Sequence, residues 1–312
     1  FSIFSSISVG AMIVSPCSSR KKAPAAPGMH PATLTAGSVD DVARQWKSSL
    51  RAASREHTSY TLYGGRAFTE AALAAKSANA PHYFLSAGLG LVGPDEKIPA
   101  YAMTTVGSTD ENVLRKCPQG TTAADWWKKA LSPGALADLI DRAKGRVLLA
   151  LPSVYLEMVQ DELLCLSSCA LTKVRIFTAG SATLRSSPIK ECVMPYDARL
   201  DGPDSPIPGT KSDFASRALR HFVEIACQSE KTGLSGDKVL AANALAGMRM
   251  PTTPKRVRVS DSDIREALIA AWDHAQGNRQ RLLRHLRDVL LMSCEQSRFA
   301  RIARELEEER MF

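Results

Sequence analysis

No apolar run in these 312 residues reaches the roughly 18 to 20 that a membrane-spanning helix needs. The opening stretch, FSIFSSISVGAMIVSP, is apolar but has no basic region ahead of it, and it runs directly into a strand-like segment at residues 12–15. Residues 1–11 therefore read as a leader, or as sequence upstream of a start at Met12, and not as a signal peptide. With no targeting segment, the expected location is the cytoplasm. Cysteine occurs seven times but without ligand spacing. Cys165 and Cys169 are four apart on one expected helix, and no nearby Cys or His pair completes a zinc site. Free thiols in a reducing compartment are expected, with no metal and no cofactor. A Walker lysine motif is missing. The run GLGLVG has glycines at 88, 90 and 93, but Pro94 and Pro99 prevent the helix that a dinucleotide turn requires.

What is present is alternation. Residues 12–15, HYFLSA at 82–87, RVLLALP at 146–152 and KVRIFTAG at 173–180 read as strands, with a further short one near 191–195. The run at 146–152 is continuously apolar, as in a parallel sheet covered on both faces. Helices are expected from a Ser38 cap to about 54, from Arg66, at 122–131, at 133–144 with Ser132 as cap and Pro133 in the first turn, at 153–168, at 212–229 and at 235–248. Strand and helix in alternation predict an α/β fold with a mostly parallel central sheet flanked by helices, over 12–250. Residues 248–260 read as a linker, and 251–312 as a helical module with helices near 261–275, 279–292 and 295–309.

In such sheets ligands bind beyond the carboxyl ends of the strands. Four loops there carry chemistry: Ser15, Cys17, Ser18 and Arg20 after the first strand; GPDEK, with Asp95 and Glu96, after the second; Ser153 and Tyr155 after the 146–152 strand; and Ser181 after the 173–180 strand. Tyr63-Gly64-Gly65-Arg66 opens a helix, where free amides favour a phosphate. Asp95 and Glu96 are either solvated turn acids or one carboxylate that orients a water, with Asp201, Asp204 and Asp213 as rival acids.

Net charge is +8, which permits a polyanionic partner. Arg279, Arg281, Arg284, Arg287, Arg298, Arg301 and Arg304 crowd the tail, with Lys255, Arg256 and Arg258 ahead of them and Arg20, Lys21 and Lys22 on the first loop. A solvated amphipathic bundle, a duplex-binding face and a protein-docking face all fit that pattern.

The segments MIVSPCSSRKK, LYGGRAFTEAALAA and YFLSAGLGLVGPDEKIPAYAMTT resemble the core of the YaaA-like, uracil-DNA-glycosylase-like superfamily over about 12–180, and the whole chain resembles anti-phage DNA glycosylases of that superfamily. The resemblance implies a uracil-DNA-glycosylase-like sheet. It also implies excision of a flipped base, glucosylated hydroxymethylcytosine, from double-stranded phage DNA. The first-strand loop departs from uracil-DNA glycosylases: it reads Ser15-Pro16-Cys17-Ser18-Ser19 and holds no acid. Asp95, then Glu96, becomes the expected carboxylate for the sugar cation. Tyr63 or Tyr101 would stack on the base, and Ser15, Cys17, Ser18, Arg66, Ser153 and Ser181 would hold the base or a phosphate. Arg20, Lys21, Lys22, Arg256, Arg281, Arg284, Arg287, Arg298 and Arg301 would grip the duplex. Two alternatives stand beside this: a 7-deazaguanine-modifying enzyme using Cys17 as an activated thiol beside Arg20 and Lys21, and a non-catalytic DNA-binding stress protein.

Overall fold

The computed structural model describes residues 10–131, 133–179, 188–226, 233–252 and 255–310. Two compact units divide the chain, 1–251 and 252–312.

In the first unit, β1 (Met12–Pro16) leads through a loop to α1 (Val39–Ala52), short α2 (Ser59–Leu62) and α3 (Arg66–Ala78). Then come β2 (His82–Ser86), β3 (Gly90–Val92), α4 (Ala123–Ala130), α5 (Ala135–Arg142) and β4 (Val147–Ala150). The unit continues with α6 (Ser153–Leu164), α7 (Ser168–Lys173), β5 (Val174–Phe177), α8 (Phe214–Ala226) and α9 (Leu234–Leu245). Five strands form one sheet in the order β3-β2-β1-β4-β5. β1 pairs in parallel with β2 and β4, and β4 with β5, while β3 alone is antiparallel, against β2. The fold is thus α/β with a mixed, mostly parallel sheet.

One face of the sheet packs Val14, Leu85 and Leu149 against Trp46 of α1, Trp126 and Trp127 of α4 and Leu156 of α6. The other packs Ile13, Leu148 and Phe177 against the alanines of α3 and Leu219 and Phe222 of α8. Both faces are covered, which is why β4 carries no polar residue. The small alanine face of α3 lets α8 approach it closely. Arg175 points from β5 into this region and is held by Asp237 of α9 at 2.7 Å, with Arg146 on the same carboxylate at 2.8 Å.

Several expected boundaries move. α5 begins after Gly134, so Pro133 lies outside the helix, and Ser132 lies outside the described residues. The α5 amides are met from across the fold, where Glu162 accepts from Leu136 and Ala137 at 3.0 and 3.2 Å. The helix expected at 153–168 breaks at Cys165 and restarts from a Ser167 cap, so Cys165 and Cys169 sit on different elements. The strand near 191–195 is a single bridge between Val193 and Ile176 following a 3-10 turn.

The second unit contains α10 (Asp261–Ala271), α11 (Arg279–Arg284), which widens into a π-type turn at His285–Val289, and α12 (Gln296–Arg310). Two-residue strands β6 (Val257–Arg258) and β7 (Met292–Ser293) pair in parallel. Ile264, Leu268, Leu282, Leu286, Phe299 and Ile302 fill its core.

Candidate functional site

The strand order reverses between β1 and β4: the chain passes from β1 to β2 on one side and returns to β4 on the other. Beyond that pair of carboxyl ends lies the position where open α/β sheets present their ligand loops. Here β1 is followed by Cys17 and β4 by Leu151-Pro152-Ser153, with Tyr155 in the first turn of α6. The Cys17 thiol and the Tyr155 hydroxyl are 3.2 Å apart. Both side chains are half-buried, and Ser153 beside them is exposed, so this lip faces solvent.

Beneath the lip runs a hydroxyl chain. Tyr63 OH lies 2.9 Å from Tyr101 OH, which lies 2.6 Å from Ser86 Oγ at the carboxyl end of β2. Ser86 Oγ in turn accepts from the amides of Gly88 and Leu89, each at 3.1 Å. Lys21 places its ammonium 4.4 Å from the centre of the Tyr101 ring and donates to the Ser18 carbonyl. Burial first, and the neighbouring Cys17 next, hold the phenols of Tyr63, Tyr101 and Tyr155 well above their ordinary value. All three are therefore neutral hydroxyls at physiological pH, those of Tyr63 and Tyr101 engaged within the buried chain and that of Tyr155 at the lip.

The glycine run at 88–93 now has a local explanation. Trp126 and Trp46 clamp the turn after β2 by donating to the Ala87 and Gly88 carbonyls, each at 2.7 Å. A Cβ on Gly88 would lie 2.9 Å from the Tyr101 ring and 3.3 Å from Trp46, so a side chain there collides with the group that closes the hydroxyl chain. Gly90 takes φ +81°, a left-handed conformation that favours glycine, as the chain turns back into β3.

That reversal corrects the expected place of the acids. Because β3 is antiparallel, with Val92 opposite Phe84 and Gly90 opposite Ser86, the chain leaves β3 travelling away from the mouth. The turn carrying Asp95 and Glu96 stands toward the amino end of β2. Glu96 closes this turn by accepting from the Gly93 amide at 3.0 Å and reaches Arg55 at 3.5 Å. Asp95 is exposed and acts electrostatically on Tyr60, whose phenol is raised by burial first and then by that carboxylate. The rival acids are locked elsewhere. Arg217, fully buried, binds Asp213 and Asp201, and Asp204 holds Arg249.

Other expected site residues divide between lip and scaffold. Tyr63 and Tyr101 are wholly buried, so their rings are not stacking surfaces, and their hydroxyls bond one another beneath the lip. Ser15 is buried and bonds His82 Nε2 at 2.8 Å, and His82 Nδ1 bonds Tyr60 OH at 3.0 Å. Ser15 is thus a core residue and does not line the mouth. Ser18 ties the first loop to the Gly64 carbonyl at 2.6 Å while accepting from the Arg20 amide. Arg66 is drawn to Glu70 at 3.2 Å and to the Pro208 carbonyl at 2.7 Å, which engages its guanidinium away from a phosphate. Ser181 lies outside the described residues. Ser86 was not among the expected site residues, and Tyr155, named on the loop after the 146–152 strand, was given no role there. The signal for Ser86 was a polar residue ending an apolar strand, and for Tyr155 an aromatic one turn into the helix after β4.

On the first loop, Arg20 is exposed, and Lys22 reaches the Tyr60 carbonyl at 3.2 Å. In the second unit most of the expected basic strip is engaged internally. Arg298 and Arg301 share Asp261, Arg256 binds Asp288, and Arg287 donates twice to the Cys294 carbonyl. These arginines knit α10, α11 and α12 together. Arg281 makes only a 3.4 Å contact to Gln276, and Arg284 is exposed with no side-chain partner among the described residues.

Among the described residues no group of three metal-ligating side chains could hold an ion, and no helix is long and apolar enough to cross a membrane. No protein-family model, no curated protein and no solved structure matches this chain.

Proposed function

We propose that this chain is a DNA glycosylase of the uracil-DNA-glycosylase-like kind, which binds a flipped, modified base at the mouth of β1 and β4 and releases it to leave an abasic site. The observation that carries this reading is the set of hydroxyls gathered at that mouth: Tyr155 against Cys17 at the lip, Tyr63, Tyr101 and Ser86 behind them, with Lys21 beside them. Breaking an N-glycosidic bond leaves positive charge on the sugar and negative charge on the departing base. Donors preorganised in a water-poor site stabilise the second of these charges, and removal of one such donor characteristically costs about 10²-fold or more in rate. Tyr155, the one of the three tyrosines that is only partly buried, is assigned the contact to the leaving base. Tyr101, fixed by Ser86 and Tyr63, keeps the Cys17–Tyr155 lip in place from below. Hydroxyl groups at the lip also suit a glucosylated base, which is the substrate the resemblance favours. Asp95 is assigned no part in the chemistry, because it leaves the sheet in the opposite direction. Arg20 and Lys22 on the first loop and Arg284 in the second unit are the cations assigned to the duplex backbone.

A second reading rests on a specific contact. Cys17 is the nucleophile at the lip, 3.2 Å from a hydroxyl, and would serve thiol addition to a deazaguanine-type ring. Cys17→Ser separates the two. It is expected to leave base release from modified phage DNA within a few-fold of wild type, and to abolish any thiol-dependent conversion of a free base. Incubation with glucosylated and plain phage DNA, followed by alkaline cleavage and mass analysis of released base, tests the first reading. Intact strands with every DNA offered would remove it.

A further inference from the structure

The second unit carries a groove of about 900 Å³ beside α10, lined by Ala267, Ala270 and Ala271 and by Arg281, His285, Leu290 and Met292. Asp263 and Glu266 stand at one end of the helix side that lines it, and His274 at the other. Residues 263, 266, 270 and 274 recur at steps of three and four, so they lie along one side of a helical path. The Ala275 amide donates to the Ala271 carbonyl at 2.9 Å, which carries that path past the end of α10. Glu266, Ala270 and His274 are all exposed, and neither the Glu266 nor the His274 side chain has a partner among the described residues. Ile269, Val289 and Leu290 add exposed apolar surface to the same unit.

Glu266 and His274 are each four residues from Ala270. We propose that this face is a homodimer interface, in which α10 of two copies packs antiparallel about a two-fold axis near Ala270. That operation brings Glu266 of each copy against His274 of the other, two ion pairs about 12 Å apart by helical rise. The alanines let the two backbones approach closely, and Ile269 is covered from the side. A parallel arrangement would set acid on acid, so the charge order selects the antiparallel one. Asp263 and Glu266 oppose a polyanion at their end of the groove, while Arg281 and His285 also line it, so nucleic acid is the alternative that the experiment separates.

The experiment is sedimentation equilibrium of the full chain over a concentration series, with charge exchange. Wild type is expected to show reversible dimerisation. Glu266→Lys and His274→Glu each set like charges opposite one another twice per dimer, and each is expected to weaken association by about tenfold or more. The double variant Glu266→Lys/His274→Glu restores opposite charges and is expected to recover most of the loss. Circular dichroism of each variant checks that the helices persist. A monomer at every concentration overturns the proposal, and so does a double variant weaker than both singles. Tighter duplex binding by Glu266→Lys, with no change of mass in any variant, would give the groove to nucleic acid instead.

Discussion

A hydroxyl assists a departing base only while it keeps its proton, and burial keeps the protons on Tyr63, Tyr101 and Tyr155. The same physics acts in the opposite sense on His82. Burial lowers its pKa from 6.5 to about 3, so the ring is neutral and bridges Ser15 to Tyr60. Between those two values the unfolded chain takes up a proton that the folded chain refuses. Stability is then fully present above about pH 6.5 and falls as pH drops toward 3, by at most about 1.4 kcal/mol per unit from this group. Urea midpoints from neutral to mildly acid pH are expected to fall steadily, and His82→Gln to flatten part of that slope. Single residues were the least legible part of the sequence. Cys17 and Tyr101 were visible as loop residues of the right chemistry, but nothing in a linear string shows that Ser15 points into the core or that Arg66 is already held by Glu70 and Pro208. The periodicity that locates a strand says which residues alternate and not which face is covered.

At the scale of elements, the glycine-rich passage turns on one short strand. Residues 90–92 are too few to show alternation, and Gly90 at the start argues against a strand by composition. Yet β3 reverses the chain and carries Asp95 and Glu96 away from the mouth. Reading the passage as one continuous loop put the acids at the wrong end of the sheet. The long parallel elements were readable because their signals are redundant: Ser38 caps α1 through the Asp41 amide, and β4 is apolar at every position. The broken helix at Cys165 was not, since no proline or glycine marks the break. The turn after β2 is tightly fitted, so Gly88→Ala is expected to push the new methyl against Tyr101 and lower stability by about 1–3 kcal/mol, the usual cost of overpacking. Base release should fall with it, because Tyr101 supports the lip; thermal unfolding and activity measured on the same sample check both.

For the molecule as a whole, charge is divided between holding and offering. The net +8 suggested a basic surface, but Arg256, Arg287, Arg298 and Arg301 bind partners within the second unit. Arg298→Ala is expected to lower the stability of that unit and leave the salt dependence of duplex binding nearly unchanged. Arg284→Ala is expected to leave stability unchanged, weaken binding alike for all sequences, and reduce the slope of log affinity against log salt by about 1. Fluorescence anisotropy across a salt series distinguishes the two. The composition could show that the charge was there, and the helical spacing that much of it shared a face. Which arginines meet Asp261 or the Cys294 carbonyl depends on how three helices close on one another, which spacing within each helix does not encode.

The claim on which the rest depends is that donors at the β1–β4 mouth, and not the carboxylates after β3, carry the chemistry. Single-turnover release of base from glucosylated phage DNA, compared across wild type, Tyr155→Phe and Asp95→Asn, tests it directly. The account expects Tyr155→Phe to slow release by about 10²-fold with duplex affinity retained, and Asp95→Asn to match wild type. Abolished release in Asp95→Asn together with full activity in Tyr155→Phe would contradict it.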